Sequence, residues 1–487
     1  MSAKTVKHSS FNSLRWSTLG MILPKIVNPL VSLLLVNIIS ADDYGIFAII
    51  SFIISFINLV QGFGFIEFLI KEKEPSESLL CTIFWTNLLA SIGVYLALVF
   101  SSKYISHIYK IADLVYLIPI SGLIVLINPI QIINSSILQK NLEYKKIFFL
   151  QFSPTIILFL ITLPLALLKF GVWSLIASQV LSSFLGAILY FKFSSWRPKF
   201  IFSKEWLTKI IKFGKWVTLE KVIEYLYSNF DLILVGYLCD ISQFGIYSIA
   251  RSLSTVLFTT VNGPLGVILL PILSKLVSSR ENIREYFLSI SKRIYAINLS
   301  IIIFVLIFSY DCLPYVFINK YELIWLIPIM VCGEGISRLI WIQRDMFKIL
   351  NLPKIYPLSI IPNIAITLVV YLCVKTTNVY YFAIIKVSND ILYFIIQNLL
   401  VKYNFKISLV YVFKYSKALI FSGGLSAVFF NVLIYLINKF VGLNFIELIF
   451  VAVLTLVYYI FVFSKLDKVL FSFLLNDLLD FTGKKIR

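Results

Sequence analysis

The chain has 487 residues, of which 60% are hydrophobic and only 14% are charged. An ordinary soluble domain carries about a quarter charged residues, and no soluble core could hide this much apolar sequence. The composition therefore excludes a soluble globular protein, and the net charge of +19 has to be explained within a membrane protein.

Apolar segments of about twenty residues, the length at which a helix crosses the hydrocarbon core, recur along the whole chain. They lack the two-residue alternation of barrel strands, so helices are the predicted spanning elements. The pattern predicts an all-α integral membrane protein with about fourteen transmembrane helices. Their predicted ranges are 17–39, 44–70, 79–101, 114–138, 147–168, 172–191, 213–238, 244–273, 288–310, 323–347, 357–374, 380–400, 415–437 and 443–464.

Basic residues are distributed unevenly between the segments that join the predicted helices. If the N-terminus is inside, most of the 43 Lys and Arg residues lie in inner segments, with large groups in 192–215 and 465–487. The positive-inside rule then predicts that both termini are cytoplasmic. Because topology accounts for the charge and no soluble domain is predicted, we expect no nucleic-acid partner. The predicted outer loops hold only Lys103, Lys110, Lys169, Lys320, Lys375 and Lys439.

Two parts of the chain repeat each other at an offset of 200 residues. The string DDYGIFAII at 42–50 corresponds to SQFGIYSIA at 242–250, and RWSTL at 15–19 corresponds to KWVTL at 215–219. The copies begin at the first and seventh predicted helices, which indicates a parallel repeat of two six-helix lobes with two helices appended. The predicted divisions are an N-terminal lobe (1–200), a C-terminal lobe (201–405), two additional helices (406–464) and a cytoplasmic interfacial tail (465–487).

The acidic pair Asp42 and Asp43, before the second predicted helix, has two interpretations. Paired carboxylates on the outer face could serve a glycosyl-transferring enzyme, but the repeat has Ser242 where Asp42 stands. Asp42 and Ser242 can both cap a helix, and Gly45 and Gly245 allow close packing behind the cap. We favour the cap.

Charged residues inside predicted spans are costly in hydrocarbon and normally face a cavity or a partner. Glu220, Glu224 and Asp231 of the seventh predicted helix share one face, because steps of four and eleven residues return to nearly the same direction. We expect this carboxylate stripe to face the interior. It is a candidate coupling-ion site for protons or sodium, with Lys221 as a local counter-ion. The structural alternative is a pairing of Glu224 with Lys221 or with a neighbouring helix.

Four cations inside the spans are candidates for binding an anionic diphosphate, since a low-dielectric cavity strengthens their attraction for phosphate. Lys25 and Arg251 have no carboxylate three or four residues away. Arg338 and Lys386 each have one four residues away, which also permits a self-neutralised pair within the helix. Those two carboxylates are Glu334 and Asp390.

Other motifs add little chemistry. The five cysteines lack CxxC spacing, the two histidines are far apart, and no Walker loop is present. We therefore expect no catalytic residue, no metal site and no cofactor apart from a possible coupling ion. Proline interrupts several predicted helices, including Pro154 and Pro164 in the fifth, where it can act as a hinge or widen a cavity.

Spans seven and eight, together with PIQIINSSILQKNLEYKKI from Pro129 onward, resemble polysaccharide exporters and O-antigen flippases. These belong to the multidrug/oligosaccharidyl-lipid/polysaccharide exporter superfamily, and the resemblance covers essentially the whole chain. It implies ion-coupled, alternating-access translocation of undecaprenyl-diphosphate-linked oligosaccharide across a bacterial inner membrane for surface polysaccharide synthesis. It also implies membrane lipids as partners, with a polysaccharide polymerase and chain-length proteins as further candidates. The residues of the pattern in spans seven and eight are Asp231, Gly236, Gly245, Tyr247, Ala250 and Pro271.

Two other functions stay open at this point. A multidrug or cation antiporter of the same superfamily would need an acidic or aromatic cavity, and Lys25 and Arg251 count against it. A membrane polysaccharide polymerase or glycosyltransferase would display catalytic groups in sizeable outer loops. The longest predicted outer loops, 102–113 and 311–322, have about a dozen residues each, which is short for that role.

Overall fold

The structure is a computed structural model, and its described residues are helical with short connecting turns. In this part of the chain, ten helices are long and apolar enough to cross a membrane. The prediction of an all-α, multi-pass membrane protein is therefore confirmed. From the second onward, every predicted span coincides with a helix or a pair of helices. The described residues are 23–24, 27–72, 75–141, 143–279, 283–349, 355–373, 377–405, 410–440 and 445–466.

The first compact unit comprises Met1–Ile249 and Thr376–Val379. Its central helix is α5, which packs against α2, α4 and α8. Leu117, Ile118 and Val125 of α5 are fully buried together with Ile50 and Ile176. The helices of this unit are α1 (Val27–Ile38), α2 (Ala41–Gly62), α3 (Phe65–Lys71), α4 (Glu77–Tyr109), α5 (Leu114–Lys140), α6 (Tyr144–Ile157), α7 (Leu163–Leu167), α8 (Val172–Phe193) and α9 (Lys204–Leu238).

The second compact unit comprises Ala250–Lys375 and Tyr380–Arg487. Its helix α11 packs against α12, α15 and α16. Tyr459 is buried against Ala296 and Leu419, and its hydroxyl lies 2.9 Å from that of Ser300. The helices are α10 (Ile241–Ser279, which begins in the first unit), α11 (Ile283–Val316), α12 (Glu322–Ile349), α13 (Ile355–Cys373), α14 (Val379–Phe405), α15 (Val410–Phe440) and α16 (Phe445–Leu466).

Serine hydroxyls cap several helices and define where they begin. The hydroxyl of Ser40 accepts a hydrogen bond from the Asp43 amide at the start of α2, and it donates to the Asp43 carboxylate at 2.6 Å. Ser203 caps α9 in the same way by accepting from the amide of Trp206. The prediction that Asp42 is the cap is therefore wrong by two positions. A serine side chain is short enough to reach the exposed amides of the first turn.

One predicted helix is broken by a turn. The range 44–70 divides into α2 and α3 at Phe63 and Gly64, whose φ angles are 35° and 66°. A Cβ atom at Gly214 of α9 would overlap the carbonyl oxygen of Phe63. The left-handed turn is therefore held against a glycine of another helix. This packing is a tertiary contact that the apolar pattern of 44–70 does not contain.

The two copies of the sequence repeat meet within the first unit. A Cβ atom at Gly45 would overlap the carbonyl oxygen of Ile241, and one at Gly245 would overlap the carbonyl oxygen of Ala41. Ala41 and Ile241 occupy equivalent positions of the repeat, as do the two glycines. The close packing predicted at these glycines is confirmed, and each copy presents the same two positions to the other.

A π-helical segment interrupts the fifth predicted span. Leu158–Thr162 forms this segment between α6 and α7. Pro154 lies within α6, and Pro164 lies in the first turn of α7. Because proline lacks an amide hydrogen, it leaves a carbonyl of the preceding turn without its helical partner. The prediction that this span is interrupted is confirmed.

The predicted lobe boundaries near residues 200 and 405 stay a prediction. The predicted interfacial tail lies outside the described residues from residue 467 onward.

Candidate functional site

The second unit contains two ion pairs inside its helices. On α12, Nε of Arg338 donates to Oε1 of Glu334 at 3.0 Å, and a second guanidinium nitrogen contacts the same oxygen. On α14, Nζ of Lys386 donates to Oδ2 of Asp390 at 3.1 Å. Both pairs follow the four-residue spacing, which places the two side chains one helical turn apart. The self-neutralised pairs that the sequence allowed are therefore formed.

Tertiary packing joins these pairs into one network. The Glu334 carboxylate is attracted by Lys386 and Arg251 as well as by its own partner Arg338. Asp390 in turn interacts with Glu334 across the helix boundary. Arg251 comes from α10, so three helices contribute charges to the ionic network.

Close approach of α12 and α14 makes the network possible. A Cβ atom at Gly333 would lie 2.9 Å from Oδ2 of Asp390 and 3.0 Å from the side chain of Val387. The side chain of Ser337, one turn further along α12, lies near the Asp390 carboxylate. Because Gly333 has no side chain, the Asp390 carboxylate of α14 can pack against α12, close to Ser337. The sequence analysis did not identify Ser337, although its position three residues after Glu334 on the same helix face was available.

Burial makes these charges strongly interacting. The side chains of Lys386 and Asp390 are 15% and 4% exposed, and those of Arg338 and Glu334 are 30% and 13% exposed. Charges in such a site attract each other several times more strongly than in water. Among the residues that the structure describes, the network has three cations and two carboxylates, so this set carries one net positive charge. Arg338 is the more accessible cation of the two pairs, and its guanidinium can donate to two oxygens of a phosphate at once.

The structure brings three of the four predicted diphosphate-binding residues together. Arg251, Arg338 and Lys386 all act on the single carboxylate of Glu334. Lys25, the fourth candidate, lies outside the described residues. The role of all four in binding a diphosphate stays a prediction.

The predicted carboxylate stripe lies on α9 in the first unit. Asp231 is only 6% exposed and accepts a hydrogen bond of 2.8 Å from the hydroxyl of the fully buried Tyr247. Glu220 and Glu224 are half-buried. Lys221, considered as a local counter-ion of this stripe, instead forms a 2.6 Å ion pair with Glu67 of α3. Their function as coupling-ion residues stays a prediction.

Comparison with known families and proteins gives a consistent result. The sequence model of a family described as "Polysaccharide biosynthesis protein" matches residues 34–326. TuaB of Bacillus subtilis, a teichuronic acid biosynthesis protein, is 26% identical over 51% of this chain and 52% of its own length. WzxC of Escherichia coli, a lipopolysaccharide biosynthesis protein, is 24% identical over 69% of this chain and 68% of its own length. The alignment with TuaB thus spans about half of that relative.

Solved transporter structures share the fold. The lipid II flippase MurJ, in an inward closed conformation, superimposes with a TM-score of 0.72 at 14% identity, covering 93% of this chain and 98% of MurJ. An inward-facing multidrug resistance transporter of the MATE family gives a TM-score of 0.63 at 14% identity, covering 80% of this chain and 96% of the transporter. At this identity the likeness concerns the fold alone. The two proteins that share this fold are a flippase and a transporter.

Proposed function

This chain belongs to the polysaccharide biosynthesis protein family, and we propose its function on that basis. The resemblance to polysaccharide exporters is thereby confirmed, and the protein is a multi-pass membrane protein. The proposed function is that of a flippase, which moves undecaprenyl-diphosphate-linked oligosaccharide from the inner to the outer leaflet of a bacterial inner membrane. The glycan crosses through the protein while the lipid tail stays in the bilayer.

The ionic network is the observation that carries this proposal. Arg338 contacts the Glu334 carboxylate, and Lys386 and Arg251 attract it electrostatically. With Asp390 included, the described residues of the network keep one positive charge in excess. A diphosphate is an anion with several acceptor oxygens, which suits arginine and lysine donors in a poorly solvated site. Binding the diphosphate gives these donors acceptors other than the internal carboxylates. The cations then hold the diphosphate group of the substrate.

The same network argues against a cation antiporter. A carrier for cationic drugs needs an excess of carboxylates or aromatic rings where the drug binds. The network has the opposite sign of charge. We therefore rank the flippase first and treat the antiporter as an outcome of the experiment.

Coupling to an ion gradient is the second element of the proposal. Asp231 is the strongest candidate on α9, because it is buried and has a hydrogen-bonding partner in Tyr247. A buried carboxylate that gains and loses a proton or sodium ion changes the charge that its surroundings must stabilise. Alternating access between the two leaflets would follow from rocking of the two repeats, as in other transporters with parallel repeats.

The sidedness of the lipid-linked oligosaccharide tests the proposal. Cells that lack this gene are converted to spheroplasts and probed with an impermeant lectin before and after lysis. We expect finished repeat units to accumulate on the inner face and to return to the outer face when the wild-type gene is restored. The double variant Lys386→Met/Asp390→Leu should not restore export, whereas the control Lys221→Met should.

Each other outcome names a different function. Repeat units that are missing, or that reach the outer face but stay unpolymerised, would indicate an enzyme of synthesis or polymerisation. An unchanged pool on both faces would favour the antiporter. Full export by the double variant at normal expression would show that the ionic network is not required for substrate binding.

A further inference from the structure

A partly open cavity of about 400 Å³, lined mostly by polar residues, lies within the first unit. It is formed by residues of α1, α2, α5, α6, the π-helical segment and α8. Of the twelve described residues that line it, eight are Ser, Asn or Gln and none is charged. They include Asn28, Ser51, Asn58, Gln179 and Ser182. A chain with 60% hydrophobic residues has therefore collected amides and hydroxyls at one place.

Some of these polar groups have capacity for a ligand. Nε2 of Gln179 donates to the hydroxyl of Ser51 at 3.3 Å, and Oδ1 of Asn58 accepts from Asn128 at 3.4 Å. Oδ1 of Asn28 and Oε1 of Gln179 are buried and have no hydrogen-bond partner among the described residues. Burying an amide oxygen without a donor is costly. Both oxygens are closed off from water-sized molecules, and a donor group of a ligand that reached either one would satisfy it.

The cavity wall includes the interrupted helix. Pro154 of α6 and Leu158, the first residue of the π-helical segment, both line the cavity. Single π-helical turns are rare and occur frequently at functional sites. Proline removes one helical hydrogen bond, and the π turn adds a residue to the next turn. The irregular backbone of this span therefore coincides with the polar cavity.

Size and charge restrict what the cavity can hold. Its volume falls in the range of roughly 300–1,000 Å³ that is typical of small-molecule sites. At about 30 Å³ per molecule it has room for about a dozen waters, which is far more than a bare ion needs. Among the described residues, the lining offers no opposite charge for a phosphate or a cationic drug. A neutral polar ligand is the class that fits.

Sugar hydroxyls match this lining. Each hydroxyl donates one hydrogen bond and accepts others, and Ser, Asn and Gln side chains can provide both. The remaining lining residues, Ile54, Ile124, Pro154 and Leu158, are apolar and can contact the C–H groups of a ring. We propose that this cavity binds one neutral sugar residue of the transported glycan. The assignment rests on the proposed function, and it assigns sugar recognition to the first unit and diphosphate binding to the second.

A binding experiment separates sugar recognition from diphosphate binding. The full chain is reconstituted in nanodiscs and titrated with two lipids. One is the lipid-linked oligosaccharide extracted from the deletion strain, and the other is undecaprenyl diphosphate, which has no sugar. Gln179→Leu removes the central amide, and Ser182→Ala removes one hydroxyl with little change of volume. Asn431→Leu is the matched control, because Asn431 is exposed on α15 and donates to its own helix at Ala427.

We expect Gln179→Leu to weaken binding of the lipid-linked oligosaccharide by roughly tenfold, the effect of losing one buried polar contact. Binding of undecaprenyl diphosphate should change by less than about twofold on the same scale. Ser182→Ala should shift the two affinities in the same pattern by a smaller factor, and Asn431→Leu should shift neither. Ser182→Ala carries the test if Gln179→Leu does not fold.

Three results would overturn the assignment. If the cavity variants leave both affinities unchanged, the cavity holds only water. If they weaken both equally, its polar groups support the fold. If the wild-type protein binds neither lipid more tightly than undecaprenol, the proposed function itself fails, and the sugar site fails with it.

Discussion

Removing the ammonium of Lys386 should destabilise the protein more than removing an exposed one. In the Lys386→Met variant, Asp390 loses a cation 3.1 Å away while its side chain is only 4% exposed. At an effective dielectric constant of about 20, that attraction amounts to about 5 kcal/mol. Measured losses from breaking buried pairs on one side are about 3–5 kcal/mol. We therefore expect the free energy of unfolding to fall by about 3–5 kcal/mol.

The double variant Lys386→Met/Asp390→Leu should recover most of this loss. Replacing both members of a buried pair by apolar residues of similar size removes the desolvation cost together with the attraction. We expect its stability to lie within about 1 kcal/mol of wild type or above it. The double variant is thus a folded protein without the pair, which allows its loss of export to be interpreted as a loss of function.

The assay is denaturant unfolding of the purified protein in detergent, followed by near-UV circular dichroism. Lys221→Met is the control, because Lys221 and Glu67 are 40% and 43% exposed and such pairs contribute only about 0–1 kcal/mol. The reasoning is refuted if Lys386→Met and Lys221→Met lose the same stability. It is also refuted if the double variant is less stable than Lys386→Met alone.

Three further predictions address the repeat, the buried carboxylate and the topology. Gly245→Ala should lower the free energy of unfolding by about 1–3 kcal/mol through overpacking. Gly93→Ala should raise it by about 0.5–1 kcal/mol, because the added Cβ meets no atom within 4 Å. Thermal unfolding of the two variants distinguishes a loss of stability from a gain. Asp231→Asn should abolish ion-driven transport in proteoliposomes. Tyr247→Phe should retain transport and lower the free energy of unfolding by about 1–3 kcal/mol. Equal transport by Asp231→Asn and wild type would exclude Asp231 as the coupling site. Alkaline phosphatase should be active when fused after Lys110, in a predicted outer loop, and inactive when fused at the C-terminus, which is predicted to be cytoplasmic. The reverse pattern would show that the topology is opposite to the predicted one.

The all-α membrane architecture could be predicted from the sequence because it depends on local properties. A run of about twenty apolar residues has to form a helix in hydrocarbon, since its backbone groups find no other partners. The four-residue spacings of Glu334 with Arg338 and of Lys386 with Asp390 likewise fixed two pairs before any packing was known. Even the closeness of Gly45 and Gly245 to other helices followed from the repeat.

The repeat predicted close packing at two glycines, but which side chains of different helices contact each other was beyond the reach of this reasoning. Lys221 was considered as a local counter-ion for the carboxylates of its own helix, but its Nζ lies 2.6 Å from Oε1 of Glu67 on α3. The turn at Phe63 depends on Gly214, about 150 residues further along the chain. Such pairings depend on which helices pack together. The sequence alone does not show which helices are neighbours, so it cannot predict these pairings.

The candidate sites divide in the same way. The sequence by itself determined which charged residues would be held inside the membrane, because each is costly there and has to find a partner. Only the tertiary structure decided that Arg251 joins the two pairs at Glu334, and that Asn28 and Gln179 line one cavity. The physical reason is that the cost of burying an unpaired charge or amide depends on the residue type, which can be read from the sequence. The group that pairs with it comes from whichever helix packs against it, which only the tertiary structure shows.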